Sequence, residues 1–591
     1  MSTHIHFVIA CIIFEFLICL IYRKSPTKRQ IFGLIFLPIS SYYFIYERPL
    51  LPVLGILQPY LTTLICLAFT IFLNTLSFES LIVKKTNKKY LVFIPITSFI
   101  LISLMYGVPY LIRSLPTHNP EAVLFSLFQN NTGTENFLFY MIWNNVFYPA
   151  FKTFLILNLI LFAFALAIHL SKRTWVFSFF SFKIRFYYCK KILGTLEKIL
   201  LVSFVVILCF FFSSIPQLIS PLREIYNAYS LSNKKVNSAF YLDEYIFPDS
   251  VSISFPKEKK NLIYIMMESM ETNFHKFTPE INMLTQNNIS FQPGGSDVAY
   301  TGWTIAAQVS KFCGIPLKLT LGLENSNYIL SYLPHAKCLT DILAENDYKQ
   351  VYVQGSDGTF ASKRNFWNQH KVTNFYDFPH YKKIGRVSSQ RENLAWGLSD
   401  ETLFKLVKEE LTKVTKDTNN PFAIYTITVD THFPNGFLSP SCQKPENSSM
   451  QYPSVLKCAS SQINEFLNWA KKQDWYKNTV IVIVGDHTWS TFTELLNIPK
   501  DEQLNWVNIF INSQIQPSKI NREFSSFDMY PTTLEAMGAE IQGHRLGLGA
   551  SLFSAEKTLL EKYKKKDLDS ILSIKSYQYD YFMQGGSFNR E

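Results

Sequence analysis

Apolar and polar positions alternate differently in the two halves of this chain. Up to about residue 218 the apolar positions form long runs, at about 6–22, 31–46, 57–78, 90–111, 153–170 and 198–217. Each approaches the roughly 20 residues that carry a helix across a bilayer. The pattern therefore predicts about six membrane helices over residues 1–218, the run at 31–46 being short and interrupted by Pro38 and two serines. A linker is expected over 219–258. Beyond it the runs shrink to strand length, at 261–267, 350–354, 422–429, 480–484 and 507–511, with helix-like stretches such as 460–472 and 527–537 between them. Near-continuous apolar strands alternating with helices predict an α/β domain over 259–591, built on a parallel or mixed sheet covered on both faces.

Composition sharpens the membrane reading. Of 591 residues, 48% are hydrophobic and 52 are Phe, an apolar excess concentrated in the first half. A net charge of +11 raises the question of nucleic acid. Its placement argues against that partner, because the basic clusters lie between the apolar runs: Arg23, Lys24, Lys28 and Arg29; Lys84, Lys85, Lys88 and Lys89; and a third from Lys172 to Lys198. This is the distribution of cytoplasmic loops, and the positive-inside rule then puts the N-terminus and everything after 218 outside the cytoplasm. The first run has no cleavage pattern and reads as a retained anchor. Glu15 within it is expected to face protein rather than lipid. The aromatic stretch 137–143 suits either an interfacial helix or an ordinary packed loop.

Cysteines fit the same topology. Cys313, Cys338, Cys442 and Cys458 form an even set in the second half, and an oxidising compartment favours disulfides. Proximity in sequence favours Cys313 with Cys338 and Cys442 with Cys458.

Candidate chemistry lies at the ends of the strands, where ligands of such sheets collect. The first run ends in Glu268, the third in Asp430, Thr431 and His432, and the fourth in Asp486 and His487. Carboxylates and imidazoles brought to one crevice suit a divalent metal. Thr304 opens an apolar-patterned stretch of helical length, where a hydroxyl meets unpaired N–H groups and the positive end of the helix dipole. It is expected there either as a simple N-cap or as a nucleophile toward an anion.

Glu268 after NLIYIMM, the segment GWTIAAQVSKFCGIP, VDTHFPNGF and VGDH together resemble the phosphoglycerol transferases that modify osmoregulated periplasmic glucans. More broadly they look like lipoteichoic acid synthases and lipid A phosphoethanolamine transferases, all of the alkaline phosphatase and sulfatase superfamily. The resemblance covers about residues 260–553 and includes VQGSDGTFASKRNFWNQH, WGLSDETLF, FDMYPTTLEAMG and GLGASLF. It implies a sulfatase-like catalytic domain behind a polytopic membrane domain, held in the bacterial inner membrane with the catalytic domain in the periplasm. It implies Glu268, Thr304, Asp486 and His487 as ligands of one divalent ion, manganese or zinc, with Thr304 also the nucleophile. His432 matches the substrate-binding histidine, and Trp396 the tryptophan that packs on a phospholipid headgroup.

The implied reaction moves a phospholipid headgroup through a phosphothreonine to a cell-envelope glycan. The donor is phosphatidylglycerol in the first reading. Phosphatidylethanolamine, with lipopolysaccharide as acceptor, is the alternative; GWTIA followed by CGIP favours phosphoglycerol. A membrane-anchored binding protein without activity is the rival from another class, and the intact ligand set speaks against it. A true sulfatase is disfavoured, because Thr304-Ile305-Ala306 lacks the Cys or Ser followed by Pro-x-Arg of those enzymes.

Overall fold

The structure, a computed structural model, describes residues 237–588 with short interruptions, the longest at 319–331, and within the N-terminal half residues 99–100, 102–103, 146–156, 176–179 and 182–185. The expected membrane runs lie almost wholly outside the described residues, as does the aromatic stretch 137–143. Among the described residues no helix is long and apolar enough to cross a membrane. Residues 176–179 and 182–185 pair as an antiparallel hairpin.

The C-terminal half is organised by a six-stranded sheet. Its strands are β1 (Asn261–Met267), β2 (Lys349–Gln354), β3 (Asn374–Tyr376), β4 (Phe422–Ile427), β5 (Thr479–Gly485) and β6 (Asn508–Ile511). They lie in the order β3-β2-β4-β1-β5-β6. All neighbours are parallel except β5 and β6. Burial of both its sides explains why β1 is apolar from Leu262 onward. Leu262, Tyr264 and Met266 enter one core, with Phe312 and Phe527. Ile263, Ile265 and Met267 enter the other, with Leu403 and Phe466. A strand buried on both faces cannot alternate polar and apolar residues, so continuous hydrophobicity is its signature. β3 carried no such signature, being a three-residue edge strand.

Helices cover both faces: α1 (Pro279–Asn287), α2 (Thr304–Cys313), α3 (Leu339–Glu345), α4 (Asp400–Val414), α5 (Gln451–Ala470) and α6 (Met529–Ala536). α4 begins where the Ser399 side chain accepts the Thr402 N–H, and it buries Leu403, Leu406, Val407 and Leu411 against the sheet. α5 starts nine residues before the expected 460 because its polar first turns still bury Tyr452, Val455 and Leu456.

One expected boundary is corrected. Residues 239–254, expected within a linker, belong to the C-terminal α/β fold. Ala239–Glu244 is helical, Ile253–Ser254 pairs antiparallel with Glu540–Ile541, and Tyr241 is wholly buried. Glu244 is clamped by Arg545 and Lys562 at 2.7 and 2.8 Å. The aromatic side chains of this short stretch supply the packing that a solvated linker lacks.

Candidate metal centre and catalytic cleft

Glu268 follows β1, and Asp486 and His487 follow β5, its parallel neighbour, so adjacent strand ends deliver all three side chains to one point. Their ligand atoms lie within 4.8 Å of one another, and all three residues are buried. The turn after β5 depends on Gly485, where a Cβ would stand 2.1 Å from the Met270 carbonyl oxygen. Asp486 Oδ1 accepts the backbone N–H groups of Ser269 (2.7 Å) and His487 (2.8 Å). Its Oδ2 is buried with no hydrogen-bond partner. His487 Nδ1 donates to the Thr488 carbonyl at 3.1 Å, which leaves the Nε2 lone pair facing Glu268 Oε1 at 3.7 Å and Asp486 Oδ2 at 3.4 Å. That second hydrogen bond fixes the tautomer that a ligating histidine needs.

Thr304 is the first residue of α2, and Trp303 occupies the cap position. The Thr304 hydroxyl therefore does not cap the helix. It donates instead toward Glu268 Oε2 at 3.5 Å. A buried orphan acceptor on Asp486, a second buried carboxylate, the His487 Nε2 and a half-buried hydroxyl form a donor set that fits a divalent cation.

Electrostatics agree. Burial pushes the Glu268 carboxyl up to about 8, and the Asp486 carboxylate adds to the rise. Burial alone would lower the His487 imidazole, but Asp486, Glu268 and Asp297 raise it above its ordinary value. Glu271 is likewise pushed up to about 8, first by burial. Carboxylates held this close without a cation repel, and a bound metal removes that strain.

His432 follows β4 on the other side of β1. The Thr431 hydroxyl donates to the Glu268 carbonyl at 2.5 Å, and the Glu268 N–H donates to Thr428 Oγ1 at 3.0 Å, tying the two strand ends together. The Trp396 ring is buried and packs on the His432 imidazole, 4.4 Å between centroids; Trp489 stands 6.2 Å from His432 and 5.8 Å from His487. The four cysteines form the disulfides Cys313–Cys338 and Cys442–Cys458. The first anchors the end of α2, the helix that Thr304 begins.

Sequence reading missed several residues here. Lys363, buried just after two consecutive left-handed residues, Ala361 and Ser362, has its ammonium held down to about 8 by burial, with Glu268 the largest opposing charge. Lys311 lies in α2 and donates to the Asp486 carbonyl at 2.7 Å and to Ser526 at 3.1 Å. Asp297 accepts the Thr488 N–H at 2.7 Å and its hydroxyl at 2.9 Å, joining the loop before Thr304 to the loop after His487. Lys363 fell inside a segment quoted for its resemblance. Lys311 likewise fell inside GWTIAAQVSKFCGIP, whereas Asp297 gave no signal, since an aspartate in a loop is ordinarily solvated.

Residues 260–539 match the Sulfatase family. Among curated proteins the chain is similar to phosphoglycerol transferase I of Citrobacter koseri, 29% identical over 339 residues, covering 55% of this chain and 43% of that protein. It is also similar to phosphoglycerol transferase I of Salmonella choleraesuis, 30% identical over 318 residues, with 51% and 40% covered. The chain thus spans about two fifths of the length of these relatives. Solved structures that resemble it include the lipoteichoic acid synthase LtaP of Listeria monocytogenes, at 18% identity and TM-score 0.42, covering 56% of this chain and 81% of that one. The zinc complex of the periplasmic domain of EptC from Escherichia coli follows, at 13% identity and TM-score 0.35, covering 52% and 91%.

Proposed function

We propose that the chain is a metal-dependent transferase that moves phosphoglycerol from phosphatidylglycerol to a cell-envelope glycan through a phosphothreonine at Thr304. The observation that carries this reading is the Thr304 hydroxyl at the start of α2, 3.5 Å from a Glu268 that shares a buried pocket with Asp486 and His487. Similarity to phosphoglycerol transferases adds the donor headgroup.

Glu268, Asp486, His487 and Thr304 would hold one divalent ion, manganese or zinc, which when bound neutralises phosphate charge and acidifies the threonine hydroxyl. The protein's own groups do the rest. Free N–H groups in the first turn of α2 face the phosphate oxygens. Thr304 Oγ gives up its proton and bonds to phosphorus as the bond to the diacylglycerol oxygen breaks, and that oxygen takes up a proton in turn. In the second step a sugar hydroxyl attacks the phosphothreonine, gives up its proton and restores the threonine. His432, held against Trp396, serves the substrate phosphate or carries that proton. Lys363 adds positive charge on the Glu268 side. Membrane helices in residues 1–218 would keep the site, in the periplasm, at the level of its lipid donor.

Mass spectrometry of the purified protein incubated with phosphatidylglycerol tests this directly. A glycerophosphoryl adduct on Thr304 is expected; a phosphoethanolamine adduct from phosphatidylethanolamine alone would shift the donor, and no adduct with either lipid overturns the reading.

A further inference from the structure

Outside the metal centre, the first half of α4, α5 and the loop at 441–444 line a cleft of about 890 Å³. Five lysines line it: Lys276, Lys405, Lys408, Lys444 and Lys457. The carboxylates facing them are Glu401 and Glu465. Glu401 is already engaged, by Lys405 at 2.7 Å and by the Ser441 N–H at 3.0 Å. The cleft therefore carries an excess of positive charge in a concave space, where low-dielectric walls focus the field.

A second observation points to a ligand. Gln462, 6% exposed, lines the same cleft, and its Oε1 is buried without a hydrogen-bond partner while its Nε2 reaches only the Cys442 sulfur at 3.9 Å. An amide left unsatisfied at the wall of a basic cleft suits a ligand that offers hydroxyls as well as negative charge.

The cleft is also wired to the catalytic loop. Ser439 donates to Asp430 Oδ2 at 2.6 Å, and the Ser439 carbonyl accepts the Cys442 N–H at 3.0 Å. Asp430 accepts the Asp400 N–H at 3.0 Å, where α4 starts, and stands two residues before His432. The Cys442–Cys458 disulfide ties this loop to α5. The chain that leaves His432 thus becomes one wall of the cleft within ten residues.

We propose that this cleft binds a segment of the acceptor glycan that already carries phosphodiester substituents. The inference rests on the transfer reading above, in which each turnover adds one negative charge to a neutral polyhydroxylated chain. A sugar chain supplies the hydroxyls for Gln462 and its substituents the charge for the lysines. A flat anionic bilayer suits a convex basic face better than a concave one. Holding the substituted stretch here presents the next unmodified sugars to the His432 side, so the enzyme favours acceptors it has already begun to modify.

The test uses the full chain in detergent, with a maltohexaose bearing glycerophosphate groups and the same sugar unmodified as probes. Binding is measured directly, apart from turnover. The substituted sugar is expected to bind about tenfold more tightly than the plain one, and replacing Lys405, Lys408 and Lys457 together by Ala should remove about tenfold of that affinity, as three modest charge contacts would. Replacing the same three by Arg should preserve it. Melting temperatures matching the wild type show that both variants fold. Equal binding of the two sugars, or an unchanged affinity in the Ala variant, overturns the proposal. So does a variant that loses only its binding to phosphatidylglycerol vesicles, since the cleft would then be a membrane contact. Release of diacylglycerol from phosphatidylglycerol without acceptor is followed separately; its absence in the wild type overturns the transfer reading while the sugar-binding result still decides the cleft.

Discussion

The hydroxyl of Thr304 and the carboxylate of Glu268 lie 3.5 Å apart although 36 residues separate them in the chain. β1 ends at one and α2 begins at the other. Removing the hydroxyl should therefore cost chemistry and little else. Thr304→Ala is expected to abolish headgroup transfer while changing stability by no more than about 0.5 kcal/mol, since the side chain caps nothing and Ala favours the helix. Thr304→Ser should retain partial activity. Transfer assays beside thermal melts read both, and wild-type transfer by the Ala variant would end the covalent mechanism.

Metal content separates the ligands from the substrate residues. Glu268→Gln and His487→Ala are expected to lose bound metal, measured by elemental analysis of the purified protein. His432→Ala should keep its metal while turnover falls. Metal loss from the His432 variant would move that residue into the ligand set.

Asp528 provides a pH test at a residue outside the ligand set. Its carboxyl, ordinarily at 3.8, is pushed up to about 6 by burial, against the opposing N–H groups of Ala550 and Ser525. A group raised on folding contributes stability that is complete below its unfolded value and is lost as pH rises through its folded value. Relative to Asp528→Asn, which cannot titrate, the wild type should lose on the order of 3 kcal/mol between pH 4 and pH 7. Paired unfolding curves across that range would show the gap move; a constant gap refutes it.

The disulfides predict a graded loss. Opening Cys313–Cys338, which spans 25 residues, should cost about 3 kcal/mol. Activity should fall with it, because the bond anchors α2 and so Thr304. A Cys313→Ser, Cys338→Ser double variant with an unchanged melting temperature would contradict this.

The membrane orientation is open to a probe independent of all chemistry. A membrane-impermeant thiol reagent is expected to label a cysteine placed at Thr117 and to miss one at Thr86. The reverse pattern would mean an odd number of miscounted spans before residue 90.

Much of the fold was legible because its causes are local. A strand buried on both faces is mostly apolar, so β1, β4, β5 and β6, and the Val351–Val353 centre of β2, stood out as short hydrophobic runs. Their polar ends marked Glu268, Asp430, His432, Asp486 and His487 before any coordinates, since a parallel sheet collects its strand ends on one edge. Nearness in the chain was enough to choose the cysteine pairs. Tertiary structure alone decided which strand lies beside which, and hence that β1 and β5 put Glu268 against His487 while β4 brings His432 to the other side. It also decided which charges are buried. The burial of Lys311, Lys363 and Asp297 was not legible, because burial is a property of what packs over a side chain, and the partners of Lys311 and Asp297 arrive from 175 and 191 residues away.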